Sequence, residues 1–284
     1  MKNSIIATLL LVLLVPAHAA INTNPTSAVG VTAESGDRIL DATKETPAQR
    51  DARMAWWLEA KFGLFIHWGV FSVPAGVYQG KQAPKDSIQF SEWLMWSCRI
   101  PVQEYRNFAP QFNPVKYNEE DWVKAASDAG MKYIVITTKH HDGFAMFDTK
   151  ASDWNIGQAT PYGKDPIKEL AEACRKHGIK LGFYYSQAQD WGTGGAVGLG
   201  SMGTNAPPRW DALMKTNMDV YTDIIAVPQV KEICSNYGEF PEIIWWDTPR
   251  DHFTAVCCAR QNRLGRVSEI ADRSAKPEIK TGMK

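Results

Sequence analysis

The stretch Tyr133-Ile134-Val135-Ile136-Thr137-Thr138-Lys139-His140-His141-Asp142-Gly143-Phe144 decides how the chain is read: an apolar, β-branched run closes on two histidines and an aspartate. A strand without polar alternation needs cover on both faces, as in a parallel sheet. Paired imidazoles where such a strand ends are costly to place in a core, so they indicate a site rather than packing. Two other segments share this form, Phe62-Gly63-Leu64-Phe65-Ile66-His67-Trp68-Gly69 and Ile243-Ile244-Trp245-Trp246-Asp247. In a parallel α/β barrel the C-terminal ends of the strands are where chemistry is assembled. The chain therefore reads as an enzyme.

Around these strands the pattern alternates. A helix over 50–60 feeds a strand over 61–67, and a long segment with Pro, Gly, Trp and short helical pieces such as 101–108 follows. Asn118 caps a helix whose first turn carries Glu119 and Glu120, where the macrodipole favours acid; Trp122, Val123 and Ala126 give its buried stripe, and Gly130 ends it. After the strand over 132–139, Asp165-Pro166 starts a helix with Pro at its first position. Ile167, Leu170, Ala171 and Cys174 form its core face, and His177-Gly178 stops it. A strand over 180–186, a Gly-rich loop over 192–203, a long helical region over 210–237 and a strand over 242–247 complete the pattern.

Strand–helix–strand repetition means βαβ units. The expected fold is α/β, a (β/α)8-like TIM barrel that is incomplete, holding the first five to six βα units, because four convincing strands stand where a closed barrel needs eight. A doubly wound open sheet is the other α/β option, although no Gly-rich phosphate loop opens any helix.

Residues 1–20 read as a signal peptide: Lys2 is a positive start, an apolar run extends from Ile5 to Val15, and Ala17-His18-Ala19 is a small-x-small site. The expectation is a secreted or periplasmic protein without a membrane span. Residues 21–49, rich in Thr, Asn, Ala and Ser, read as an exposed leader, and 249–284 as an atypical tail. All 11 Trp lie at or before Trp246, while that tail has eight Lys or Arg against four Asp or Glu and no clear strand. Lys plus Arg and Asp plus Glu are both 31, so neither a basic stripe for nucleic acid nor an acidic, disordered composition exists. The five Cys have no zinc-site spacing, and Cys174 reads as a small core residue.

Several side chains could carry chemistry. In β geometry Ile243, Trp245 and Asp247 share one face, with Ile244 and Trp246 on the other. Asp247 is either a carboxylate at a sheet mouth, suited to attack a sugar's anomeric carbon, or a cap for a following helix. His140 and His141, being adjacent, are expected to face opposite ways. They can hydrogen-bond sugar hydroxyls, or one can satisfy a loop carbonyl. His67 could join His140 at a metal, but no Cys or carboxylate partners stand near, so neither metal nor cofactor is expected. Glu92-Trp93 pairs an acceptor with an aromatic platform, or is a surface helix turn. One of Tyr184 and Tyr185 should face inward. No Gly-x-Ser-x-Gly elbow supports a serine nucleophile.

Taken in order, residues 62–69, Ser91-Glu92-Trp93, 138–144, 182–186 and Trp245-Trp246-Asp247 resemble the α-L-fucosidases of glycoside hydrolase family 29, over roughly residues 50–248. The resemblance implies a catalytic barrel and hydrolysis of terminal α-linked L-fucose from oligosaccharides or glycoconjugates with retention. Asp247 would be the nucleophile, and His67, Glu92, Trp93, His140, His141, Tyr184 and Trp245 would line the fucose pocket. The family's acid/base is a Glu from a later barrel segment. Nothing after Pro249 matches that segment, Glu269 and Glu278 have no familiar context, and no acid/base is assigned, so impaired activity is expected of this chain. A non-catalytic fucose- or carbohydrate-binding protein would use the same histidines and tryptophans.

Overall fold

The structure, a computed structural model, describes residues 46–192, 210–214, 218–238 and 241–247. The signal peptide, most of the leader, most of the Gly-rich loop and the tail with Glu269 and Glu278 lie outside the described residues.

Four strands, β1 (Gly63–Ile66), β4 (Tyr133–Lys139), β5 (Lys180–Ser186) and β6 (Ile243–Asp247), form one parallel sheet in the order β1-β4-β5-β6. A small antiparallel hairpin, β2 (Val77–Tyr78) and β3 (Lys81–Gln82), sits in the long β1–β4 connection. The helices are α1 (Pro47–Ala60), the short α2 (Leu94–Ser97) and α3 (Val102–Arg106), α4 (Glu119–Asp128), the short α5 (Ile156–Ala159), α6 (Pro166–His177), α7 (Met218–Tyr221) and α8 (Val227–Ser235). The chain is thus an α/β protein with a parallel sheet.

Local chemistry explains the element ends. α1 starts at Pro47, ahead of the expected residue 50, because Thr46 and Gln49 form a capping box with Pro at the first helical turn. Asn118 accepts from the Asp121 N–H, and Asp165 from the Ile167 and Lys168 N–H groups, so α4 and α6 begin where the caps predict. Gly178 ends α6 at φ 67°, a left-handed conformation that glycine adopts without Cβ strain. The region expected to be helical over 210–237 is helical only in part. Its described part holds a turn at 210–214, and the π-helical segment Thr222–Ala226 lies between α7 and α8. Pro228 has no N–H to give to the preceding turn, and the wider i→i+5 turn, closed by Val227 N–H to Thr222 O, accommodates it.

The sheet sorts its side chains with period two. One face carries Ile134, Ile136, Phe183, Tyr185, Ile244 and Trp246 into the main core against α4, α6 and α8. The other carries Phe65, Val135, Tyr184 and Ile243, over which Trp56 and Trp57 of α1 pack. As expected, Ile243 and Trp246 belong to opposite faces, and Cys174 is a buried core residue. Among the described residues no helix is long and apolar enough to cross a membrane.

Candidate active site

Because the strands are parallel, their last residues arrive at one edge: His67 just past β1, His140 and His141 past β4, Ser186 ending β5 and Asp247 ending β6. Asp247 Oδ2 accepts a hydrogen bond from the Tyr184 hydroxyl at 2.5 Å and stands 3.4 Å from His141 Nε2. The Asp247 side chain is 34% exposed against 2% for His141, so the carboxylate opens to solvent while the imidazole is walled in.

Rings build the walls. His140 stacks on Tyr184, with centroids 5.3 Å apart and planes within 10°. His67 lies 5.7 Å from the same Tyr184 ring and 4.5 Å from Phe65, whose ring Trp245 meets edge-on at 5.4 Å. On the other flank Trp93 meets His141 edge-on at 4.8 Å. Glu92, beside Trp93 in the 3-10 turn Ser91–Trp93, is half-buried, and its charge is felt at Tyr184. The structure thus brings Asp247, His67, Glu92, Trp93, His140, His141, Tyr184 and Trp245 into one neighbourhood. Tyr184 faces inward, and Tyr185 faces the helices, donating to Gln229 Oε1 at 2.8 Å.

One expectation needs correction. His140 and His141 do not face opposite ways: their rings lie 4.3 Å apart and both border the site. β4 has already ended at Lys139, and its ladder with β5 shifts register between Thr137 and Lys139. Such an irregularity re-aims the side chains that follow it. His67 and His140 are also neighbours, with ring centroids 5.8 Å apart.

Burial sets the charge states. It lowers the pKa of His140 well below the ordinary histidine value, with the neighbouring His141 adding to the effect, and takes His141 down to about 3. His67 is lowered for the same reason, against the pull of Asp247. Near neutral pH these rings are uncharged hydrogen-bonding groups rather than cations. Burial, then the Asp247 charge, holds the Tyr184 hydroxyl well above its usual pKa, so it stays a donor. Glu92 is raised by burial, which favours its protonated form.

Sequence reasoning missed several contributors. Trp191 is fully buried, packs 5.3 Å from both Trp93 and His141, and donates its backbone N–H to the His141 carbonyl at 2.7 Å. Ser186 Oγ lies 2.8 Å from His141 Nδ1. Behind the histidines, Lys139 pairs with Asp190 at 3.2 Å and donates to the Tyr221 hydroxyl at 2.8 Å, while Asp142 accepts from Tyr105 at 2.8 Å. Gly143, at φ 77°, makes room for this cluster, since a Cβ there would come within 2.3 Å of Asp190 Oδ1. One signal was present: Gln187-Ala188-Gln189-Asp190 is a mostly polar stretch directly beyond the end of β5.

With this geometry in hand, the sequence profile of the alpha-L-fucosidases matches residues 32–278. The chain belongs to the alpha-L-fucosidase family. The profile extends beyond 50–248 at both ends. Human tissue alpha-L-fucosidase is 40% identical over 166 residues, which cover 54% of this chain and 34% of that protein. The Branchiostoma floridae alpha-L-fucosidase is 29% identical over 226 residues, 71% of this chain and 43% of the relative. The chain therefore spans about a third of the human relative's length. Among solved structures, the alpha-L-fucosidase AlfC from Lactobacillus casei in complex with alpha-L-fucose product superposes with a TM-score of 0.67 at 37% identity, covering 76% of this chain and 68% of that one. The alpha-L-fucosidase from Vibrio sp. strain EJY3 gives 0.65 at 32% identity, covering 76% and 37%.

Proposed function

We propose that this chain carries the nucleophile of an exo-acting, retaining glycosidase that releases terminal α-L-fucose from glycans. The observation that carries the reading is a half-open carboxylate, Asp247, held by Tyr184 at a parallel sheet's C-terminal edge and walled by neutral imidazoles and indoles. In this mechanism an Asp247 oxygen bonds to the anomeric carbon as the glycosidic C–O bond breaks. The bond's electron pair leaves on the aglycone oxygen, which takes up a proton. Water then attacks the same carbon, gives up a proton, and frees fucose and the Asp247 carboxylate. The proton donor is assigned to no described residue.

The four-stranded sheet belongs, on this reading, to a (β/α)8-like barrel, and the motif at residues 1–20 to an exported protein. Fucosylated oligosaccharides or glycoconjugates are the substrates.

The test is hydrolysis of 4-nitrophenyl α-L-fucoside by the purified chain, with NMR observation of the first-formed sugar. Release of the α-anomer and a loss of roughly 10³-fold or more in Asp247→Asn support the assignment. Release of the β-anomer overturns retention. Fucose binding without turnover, unchanged in Asp247→Asn, makes the protein a carbohydrate-binding module instead.

A further inference from the structure

Ser186 closes β5 and is fully buried, and its hydroxyl has two neighbours. One is the carbonyl oxygen of Gln189, 2.8 Å away, and the other is Nδ1 of His141, also at 2.8 Å. A hydroxyl has one proton, and a carbonyl oxygen can only accept. The Ser186 proton is therefore given to Gln189, and the contact with His141 forms only if the ring supplies the hydrogen from Nδ1. Which imidazole nitrogen is protonated is set by the bond the other nitrogen makes. His141 is 1% exposed, and burial beside Lys139 and His67 brings its pKa down to about 3, so the ring has a single proton near neutrality. That proton is on Nδ1, which leaves a lone pair on Nε2.

The consequence falls on the site. His141 Nε2 faces Asp247 Oδ2 across 3.4 Å, beyond the usual N–H···O range, and that oxygen already accepts from Tyr184. Two acceptors thus converge at the mouth of the sheet. An ordinary histidine–carboxylate hydrogen bond would need the opposite tautomer.

We propose that Ser186 is a positioning residue that locks His141 as the Nδ1–H tautomer, so that His141 Nε2 and Asp247 Oδ2 together form an acceptor pair for one donor, a hydroxyl of the bound sugar. The identity of the donor rests on the fucosidase reading, whereas the tautomer does not. Gln189 acts through Ser186, and Trp191, from the same loop, fixes the strand end by donating to the His141 carbonyl. One loop after β5 therefore sets both where the ring stands and which nitrogen it offers.

Nitrogen-15 NMR of the ligand-free, full-length chain at neutral pH tests this, with the His141 ring assigned by difference against His141→Gln. The expected result is a protonated-type Nδ1 resonance and an unprotonated-type Nε2 resonance. The reverse pattern overturns the proposal, and this wild-type spectrum decides even if variants fold poorly. In Ser186→Ala the ring should shift toward the Nε2–H tautomer and fucose affinity should fall about tenfold. Ser186→Thr, which keeps the hydroxyl, should restore both. An unchanged tautomer in Ser186→Ala would equally sink the idea. A correct tautomer in a chain that neither binds nor cleaves fucosides would retain the ring assignment while removing the sugar.

Discussion

Two polar clusters sit at the same end of the sheet and differ in how they are closed. Behind the histidines, Lys139 and Asp190 are wholly buried and paired, with Tyr221, Tyr185 and the Gln189 carbonyl around the ammonium, and Asp142 is held by Tyr105 and the Phe144 N–H. In front, Asp247 is 34% exposed, and among the described residues His140 Nδ1 is buried with no hydrogen-bond partner. A buried charge survives when its neighbours satisfy it, and the rear cluster is that case. In the front cluster the His140 Nδ1 keeps its hydrogen-bonding capacity beside a carboxylate that opens to solvent, which is what a ligand site needs. The contrast separates a cluster that holds the strand ends in place from one that, on the proposed reading, meets a sugar.

The largest effect expected from this contrast is on stability at the rear. Lys139→Met leaves the Asp190 carboxylate buried without its cation and should cost about 3–5 kcal/mol, read as a lower midpoint in urea denaturation. Combining it with Asp190→Leu should recover most of that loss, because no orphaned charge remains. A Lys139→Met cost below about 1 kcal/mol would mean that the rear pair is not sealed from water.

Asp142 gives the next effect and a distinct pH signature. Burial raises its carboxyl from 3.8 to about 7, with Asp190 adding to the shift and Lys139 opposing it. In the folded chain the group holds its proton up to about that pH, whereas in the unfolded chain it loses it near 3.8. The folded state binds more protons between these values, so this group's contribution to stability falls as pH rises from about 4 to about 7, and is flat beyond. The loss is on the order of a few kcal/mol. Asp142→Asn can still accept from Tyr105 and Phe144 and should remove that part of the slope. Denaturation midpoints at pH 5 and pH 8 measure it, and an identical slope in the two proteins would refute the raised carboxyl.

These clusters also divide what the sequence discloses from what it hides. Local signals were legible: the caps at Asn118 and Asp165, the stop at Gly178, and the period-two sorting that puts Asp247 on the face opposite Trp246. Each depends on residues a few positions apart. The rear cluster was not legible, because Lys139, Asp190 and Tyr221 meet only through the sheet and its crossover helices. Ser186 was hidden for a similar reason, since a serine ending a strand has no signature until His141 stands beside it. The histidine pair was misread because strand alternation was carried two residues past the end of β4, through His140 and His141. The register shift between Thr137 and Lys139 is a property of the ladder, and β5 lies about 40 residues further along the chain.

The smallest effect on stability belongs to the front cluster. Trp245 is 40% exposed and rests edge-on against Phe65, while its strand neighbour Trp246 is only 6% exposed in the main core. Trp245→Ala removes surface at the rim rather than in the packed core and should shift stability by about 1 kcal/mol, less than the rear-cluster changes, since truncations outside a packed core are mild. The same change removes an aromatic platform at the open side of Asp247, and stacked aromatic faces contribute about 0.5–1.5 kcal/mol beyond area alone. Fucose affinity should therefore weaken about three- to tenfold by calorimetry while the denaturation midpoint hardly moves. A variant that loses stability and keeps its affinity would put Trp245 with the rear residues, and the division between holding and meeting a ligand would have to be drawn elsewhere on β6.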